Sequence, residues 1–360
     1  MAHRSRLYEL HRSLGATFHE ERGWELPGRY QDPIQEHRAV RESVGLLDLS
    51  FRTVFRVTGT ERTRFLNGML TNDINTLEEG QGCYACLLTP QGKILADLEV
   101  YALRDYHLME LDRRWKEQTM DYLNKYIIAD DVAFDELGDS PLLALQGPEA
   151  TSALQRLLPG ADLPRGKHGC VEVKFNDHLY RIIQSSLTGE EGYKLMIPAE
   201  RAADVWRGLQ EAGATPVGMS ALHILRLEAG IPWFGIDFDE ENFPQEAGIE
   251  DSAVSFTKGC YVGQEFVIRI ARRGHVNRRI SGLLIEREPI PHPGDRLLHE
   301  GKEVGRISSA ALSPTLGKII GLGMLRRESQ EPGTIVQVES DSKSIPAEVS
   351  ALPFYRRSAG

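Results

Sequence analysis

The chain has 360 residues and a formal net charge of −10, from 42 Lys and Arg against 52 Asp and Glu. With 41% hydrophobic and 26% charged residues, its composition is that of a folded protein of two or three domains, which excludes a disordered chain. A global excess of acids disfavours non-specific binding to nucleic acid, and no apolar run approaches the roughly 20 residues of a membrane span.

Residues 1–18 carry His3, Arg4, Arg6, Glu9, His11 and Arg12 and lack the apolar core of a signal peptide, so a cytoplasmic protein is expected. The four cysteines, Cys83, Cys86, Cys170 and Cys260, are too sparse for a disulfide framework. Pro33 and the spacing of Ile34, His37, Val40, Arg41 and Val44 predict a helix that Gly45 ends. Residues 51–58 alternate as a strand, and a second helix is expected over 62–70. Residues 84–103 form the clearest hairpin, with Thr89-Pro90-Gln91-Gly92 as its turn. Helices are expected at 114–126 and 198–212, and short strands at 142–146 and 179–186. This alternation describes an α+β body over 1–278. From residue 279 short β-type runs are split by Pro and Gly, which predicts a small all-β barrel over 279–360.

The hairpin carries the first chemical constellation. With a two-residue loop at Pro90-Gln91, Tyr84 falls opposite Asp97, and one sheet face presents Tyr84, Asp97, Glu99 and Tyr101. A carboxylate between aromatic rings walls a flat, hydrogen-bonding ligand and, when desolvated, makes a tunable proton acceptor. The plain alternative is a half-exposed strand with a solvated acid. Cys83 and Cys86 sit three apart on a strand, on opposite faces, and so cannot readily share a metal.

Residues 220–229, with Ser220 as N-cap and Gly230 as stop, read as a helix with Arg226 in its last turn. Arg226 either complements the helix dipole or offers a guanidinium fork to a carboxylate or polar heterocycle. In Lys258-Gly-Cys-Tyr-Val-Gly-Gln-Glu265 a helix starting near Gly263 would favour the Cys260 thiolate; otherwise Cys260 is a small buried hydrophobe. Residues 227–257 hold eight acids and no Lys or Arg, whereas 258–279 hold six basic residues and one acid. Such blocks are usually solvated faces. The alternative is that Arg269, Arg272, Arg273, Arg278 and Arg279 meet an anionic partner: a polyglutamate tail, a phosphate or an RNA backbone.

Taken in order, several stretches resemble one family: Glu36-His-Arg-Ala-Val-Arg41, Leu47-Asp-Leu-Ser50, Thr71-Asn-Asp73, residues 92–101, Leu145-Gln-Gly-Pro148, Thr188-Gly-Glu-Glu-Gly192, Leu225-Arg-Leu-Glu-Ala-Gly230 and Leu352-Pro-Phe-Tyr355. The chain resembles, nearly end to end, the superfamily of the glycine-cleavage aminomethyltransferase (T-protein) and the YgfZ-like folate-binding proteins of iron–sulfur cluster maintenance. The resemblance implies a three-subdomain cloverleaf around a tetrahydrofolate pocket. It gives Asp97 a role in aminomethyl transfer and makes Tyr84, Tyr101 and Arg226 folate contacts. T-proteins usually carry a pterin-holding Glu where this chain has Lys194. They also lack the cysteine of the 258–265 motif, and in YgfZ-like proteins the residue corresponding to Cys260 is the functional one. The resemblance therefore implies, first, a folate-binding protein serving iron–sulfur assembly proteins or client enzymes. The alternatives are a tetrahydrofolate-dependent aminomethyltransferase or demethylase, and an RNA- or protein-binding module.

Overall fold

The computed structural model describes residues 2–21, 23–138 and 140–357. The chain forms two compact units, residues 1–85 with 97–222 and residues 86–96 with 223–360.

The first unit begins with a three-stranded sheet in the order His3–Arg4, Trp24–Arg29, Thr17–Glu21. The helix Tyr8–Ser13 brings His11 into the core, where its ring nitrogens bond Asp48 at 2.9 Å and the Tyr30 hydroxyl at 2.8 Å. The helix predicted from Pro33 runs Pro33–Glu42, capped by the Asp32 side chain on the Ile34 N–H. Gly45 does not merely end it but opens the buried strand Gly45–Asp48. A Cβ at Gly45 would lie 2.4 Å from the Val40 side chain, so this close approach needs glycine.

That strand belongs to a six-stranded sheet ordered Cys170–Phe175, His178–Gln184, Gly192–Met196, Leu142–Gln146, Gly45–Asp48, Thr215–Pro216. The helices Ala150–Leu157 and Ala202–Glu211 contribute Leu154, Trp206 and Leu209 to the core that this sheet builds from Leu46, Leu145 and Leu195. A second sheet has five strands: Gly82–Leu88, Ile94–Ala102, His107–Asp112, Arg52–Thr58, Ala133–Glu136. Thr53, Phe55 and Val57 are buried as their alternation predicts, but Val54 is buried too, because both sheet faces are covered there.

The second unit contains the hairpin tip, and here the structure differs from the sequence expectation. The Thr89 N–H donates to Lys93 O at 2.8 Å and the Gly92 N–H to Thr89 O at 2.8 Å, so the loop is Pro90-Gln91-Gly92, one residue longer than expected. A bare type I turn would splay the strands. Adding Gly92 at φ +81° makes a type I turn plus a one-residue bulge, which restores their twist.

Residues 278–350 form a closed six-stranded barrel in the order Arg278–Ile285, Lys318–Arg326, Lys302–Ser313, Arg296–His299, Ile335–Ser340, Lys343–Ser350. Its core holds Leu283, Leu297, Ile307, Leu325, Val336 and Val338. A register shift between Ile307 and Ser309 bends the longest strand, as closure requires. Among the described residues no helix is long and apolar enough to cross a membrane.

Candidate functional site

The strand Ile94–Ala102 sorts its residues by face. Ala96, Leu98 and Val100 are fully buried on one side. On the other side the surroundings change along the strand. Asp97 is half-buried and accepts a hydrogen bond from the Tyr84 hydroxyl at 2.8 Å. Tyr84 is also held by its backbone, because Asn72 Nδ2 donates to Tyr84 O at 2.9 Å. Asn72 lies in the Thr71-Asn-Asp73 turn, whose own geometry is set by Asn67 accepting from the Ile74 N–H at 2.9 Å. The result is a carboxylate and a phenol fixed side by side.

Two and four residues further on, the face closes over. Glu99 lies directly across the ladder from Glu110 on His107–Asp112. Two facing acids would repel. Lys194, from the six-stranded sheet, bridges them: its Nζ is 2.7 Å from Glu99 Oε1 and 2.9 and 2.8 Å from the two Glu110 oxygens. Arg52 pairs with Glu110 from a third strand, and His168 Nδ1 is 3.0 Å from Glu99 Oε2. Burial alone would raise the Glu99 carboxyl, but Lys194, His168 and Arg52 outweigh it and hold the group well below the usual carboxylate range.

Tyr101 is sealed into this network. It is fully buried, donates to Glu99 Oε2 at 2.6 Å and lies 3.2 Å from Lys194 Nζ. Burial first, then Glu110 and Glu99, push its phenol well above the ordinary value, so it stays protonated. Glu99 and Tyr101 are thus buried two and four residues beyond Asp97 on the strand, with their polar groups engaged by Lys194, Glu110 and His168. The sequence reading missed His168 and Glu110. They reach Glu99 from 69 residues downstream and from the neighbouring strand, where no local pattern signals them.

In the second unit, the helix carrying Arg226 runs Met219–Glu228, so Ser220 sits inside it rather than capping it. The Arg226 fork is occupied by protein. Nη1 donates to Asp237 at 2.6 Å and to Ile231 O at 3.1 Å, and Nη2 donates to Ser309 at 2.8 Å. Trp233 covers it, with 4.7 Å from Cζ to the ring centroid. Arg226 is thus a buried organiser of the 231–237 loop and not an open fork.

Cys260 is exposed. Its neighbour Tyr261 is buried under the Lys258 ammonium, 5.1 Å from the ring. Gly263, at φ +83°, caps the helix Gln264–Arg273, and a Cβ there would meet Thr89 O of the hairpin tip at 2.5 Å. Cys83, Cys86 and Cys170 are buried thiols, and no cluster of three metal-ligating side chains occurs among the described residues.

The basic block is also revised. Arg278 pairs with Glu246 at 3.1 Å and Arg279 with Glu250 at 2.8 Å. Both acids come from the acidic block just upstream, so the two blocks partly neutralise each other. Arg269, Arg272 and Arg273 remain exposed on the helix.

Comparison with known proteins agrees with this architecture from end to end. Residues 7–258 match the GCVT N-terminal domain, and residues 278–356 match the glycine cleavage T-protein C-terminal barrel domain. A protein of Rubrobacter xylanophilus named aminomethyltransferase is 34% identical over 98% of this chain and 94% of its own length. One of Rippkaea orientalis, with the same name, is 33% identical over 98% and 97%. The crystal structure of glycine cleavage system aminomethyltransferase T from Bartonella henselae superposes with a TM-score of 0.92, at 27% identity, covering 99% of this chain and 98% of that one. With both domains matched in order and full-length relatives above 30% identity, this chain belongs to the glycine cleavage T-protein family.

Proposed function

We propose that this protein is a tetrahydrofolate-dependent aminomethyltransferase in which Asp97 is the catalytic carboxylate. The observation that carries the reading is the Tyr84–Asp97 pair, half-exposed at the open end of a strand face whose other acid is neutralised. The full-length relatives named aminomethyltransferase support it over the iron–sulfur role placed first on sequence grounds.

The residues fit a flat, polar heterocycle in part. A phenol and a carboxylate held 2.8 Å apart offer stacking area and a hydrogen-bond acceptor. Lys194 offers the pterin nothing directly, because its ammonium is locked between Glu99 and Glu110. Tyr101 is engaged in the Glu99–Lys194 network, and the Arg226 fork is held by Asp237 within its own unit. When bound, tetrahydrofolate would supply the nitrogen that accepts the one-carbon unit. The chain's own part is to orient the amine donor against Asp97, which polarises it and holds a proton there, while the Tyr84 hydroxyl fixes the carboxylate's direction.

The test is an anaerobic transfer assay with aminomethyl-loaded lipoyl carrier protein and tetrahydrofolate, reading methylene-tetrahydrofolate. Asp97→Asn should lower kcat by about 10²–10⁴ with little change in folate affinity. Unchanged turnover refutes the role.

One observation favours a second reading. The exposed Cys260, in its Lys258–Glu265 motif, is suited to a YgfZ-like folate-binding protein acting on iron–sulfur assembly proteins or their clients. Under that reading Cys260→Ala fails to restore iron–sulfur enzyme activity in a deletion strain, and full rescue overturns it.

A further inference from the structure

A cleft of about 110 Å³ opens in the first unit between the N-terminal strand, the start of Arg52–Thr58, the turn at Arg113 and residues 140–141. Four arginines line it, Arg4, Arg6, Arg52 and Arg113, together with serine residues 5, 50 and 140. No carboxylate is among the described lining residues. Acids outside the lining hold the guanidinium groups in place. Arg4 pairs with Glu25, Arg52 through Nε with Glu110, and Arg113 through Nη1 with Glu136 at 3.1 Å. Arg113 also lies over Trp24, 5.5 Å from the ring centroid.

A donor is left unused among the described residues: the buried Nε of Arg113 has no hydrogen-bond partner. Arg52 donates to Glu110 from Nε, and its side chain is 17% exposed. Converging like charges with a spare N–H group in one cleft are stabilised by an anion that accepts several bonds at once. One arginine suffices for a carboxylate. Three, Arg4, Arg52 and Arg113, suit the dianionic, tetrahedral phosphate group. A second cleft, of about 440 Å³, shares Arg6 and Ser140 with the first and continues past Leu179, Met196, Ile197 and Pro198. Its wall, which also includes Arg181 and Glu200, has room for an organic substituent.

We propose that this double cleft is a binding site for a phosphate monoester, with the phosphate among Arg4, Arg52 and Arg113 and the organic part along Met196 and Pro198. The proposed site takes no part in the transfer chemistry, but it is not remote from Asp97, whose charge acts on Arg52. Arg52 connects the two regions, since it also holds Glu110 of the Lys194 network.

Titration calorimetry of the full chain in low-salt, phosphate-free buffer tests the proposal, with inorganic phosphate, phenyl phosphate and benzoate as probes. Phenyl phosphate should bind saturably and about tenfold or more tightly than benzoate, and more weakly as salt is raised. Affinity for phenyl phosphate above that for inorganic phosphate assigns an ester; equal affinities assign free phosphate to the small cleft and overturn the ester half. Arg4→Gln/Arg113→Gln should weaken phosphate binding about tenfold or more, while Arg207→Gln, exposed and in the lining of neither cleft, leaves it unchanged. If the double variant does not fold, Arg4→Gln alone, at a rim position 57% exposed, carries the test. No saturable binding of either phosphate probe, or full retention in the folded variants, overturns the proposal.

Discussion

Replacing Lys194 by Met tests the account of the strand face most directly. The lysine side chain is 1% exposed and lies within 2.7–2.9 Å of Glu99 and Glu110 oxygens. With Arg52, the cluster holds two cations against two facing carboxylates. Removing one cation leaves a buried, uncompensated negative charge, which costs about 3–5 kcal/mol. At roughly 2–4 °C per kcal/mol for a domain of this size, the melting temperature should fall by roughly 6–20 °C. The sign with pH follows from Glu99. Its folded pKa lies well below the ordinary value, so its stabilisation is complete above the usual carboxylate range and lost as pH falls toward the folded pKa. In Lys194→Met that depression is gone and the freed carboxyl takes up a proton more readily. The gap between parent and variant should therefore be widest at neutral pH and narrow towards pH 4–5. Lys194→Met/Glu99→Gln should recover part of the loss, because it removes the unpaired charge. Thermal melts at pH 7.5 and 4.5 decide it. A loss below about 1 kcal/mol at pH 7.5, or a gap that widens on acidification, refutes the reasoning.

Arg226→Leu should cost about 3–5 kcal/mol by the same logic, since it strands the buried Asp237, and chemical denaturation reads the loss. Gly92→Ala should cost about 1–3 kcal/mol, because φ is +81° and the new Cβ would sit 2.7 Å from Phe266 Cβ; a melt no lower than the parent's refutes the bulge assignment. Iodoacetamide should label Cys260 quickly and the three buried thiols only on unfolding, as peptide mass analysis would show. Burial, reinforced by Arg62, pushes His107 down to about 4. Its neutral, buried form therefore stabilises fully above about pH 6.5, and the contribution is lost as pH falls through 4, so His107→Gln should flatten that part of the stability profile.

How much of this was legible in the sequence depends on where the partners of each residue lie. Period-2 alternation correctly separated Ala96, Leu98 and Val100 from Asp97, Glu99 and Tyr101, because a pleated strand imposes it whatever the surroundings. The barrel after residue 278 was legible for a similar reason: its Pro and Gly punctuation matches the strand ends. The loop length was misjudged although the signal was present, since a type I turn needs a following positive-φ residue and Gly92 stands in that place. The burial of Tyr101 was not legible. Alternation says which face a residue takes, not what covers it, and the cover is Lys194, 93 residues away. Arg226 was ambiguous for want of one fact, that Asp237 turns back onto it. The acidic stretch containing Asp237, Glu246 and Glu250 was the available hint, and it serves largely to neutralise Arg226, Arg278 and Arg279.

The contrast along one strand face bears on how Asp97 works. A reactive carboxylate needs a fixed direction and an electrostatic setting that does not collapse when solvent leaves. Tyr84, itself anchored by Asn72, supplies the direction. The setting comes from below, where Lys194 and Arg52 cancel Glu99 and Glu110. Without that cancellation, Glu99, on the same face two residues from Asp97, would add a second negative charge beside it. In the proposed site Lys194 would thus act on Asp97 through charge, its ammonium being held by Glu99 and Glu110. The kinetic consequence separates the two roles. Lys194→Met should lower kcat only in part while Asp97 is still present, whereas Asp97→Asn should lower it by about 10²–10⁴. A folded Lys194→Met enzyme with the parent's kcat would assign the lysine to stability alone.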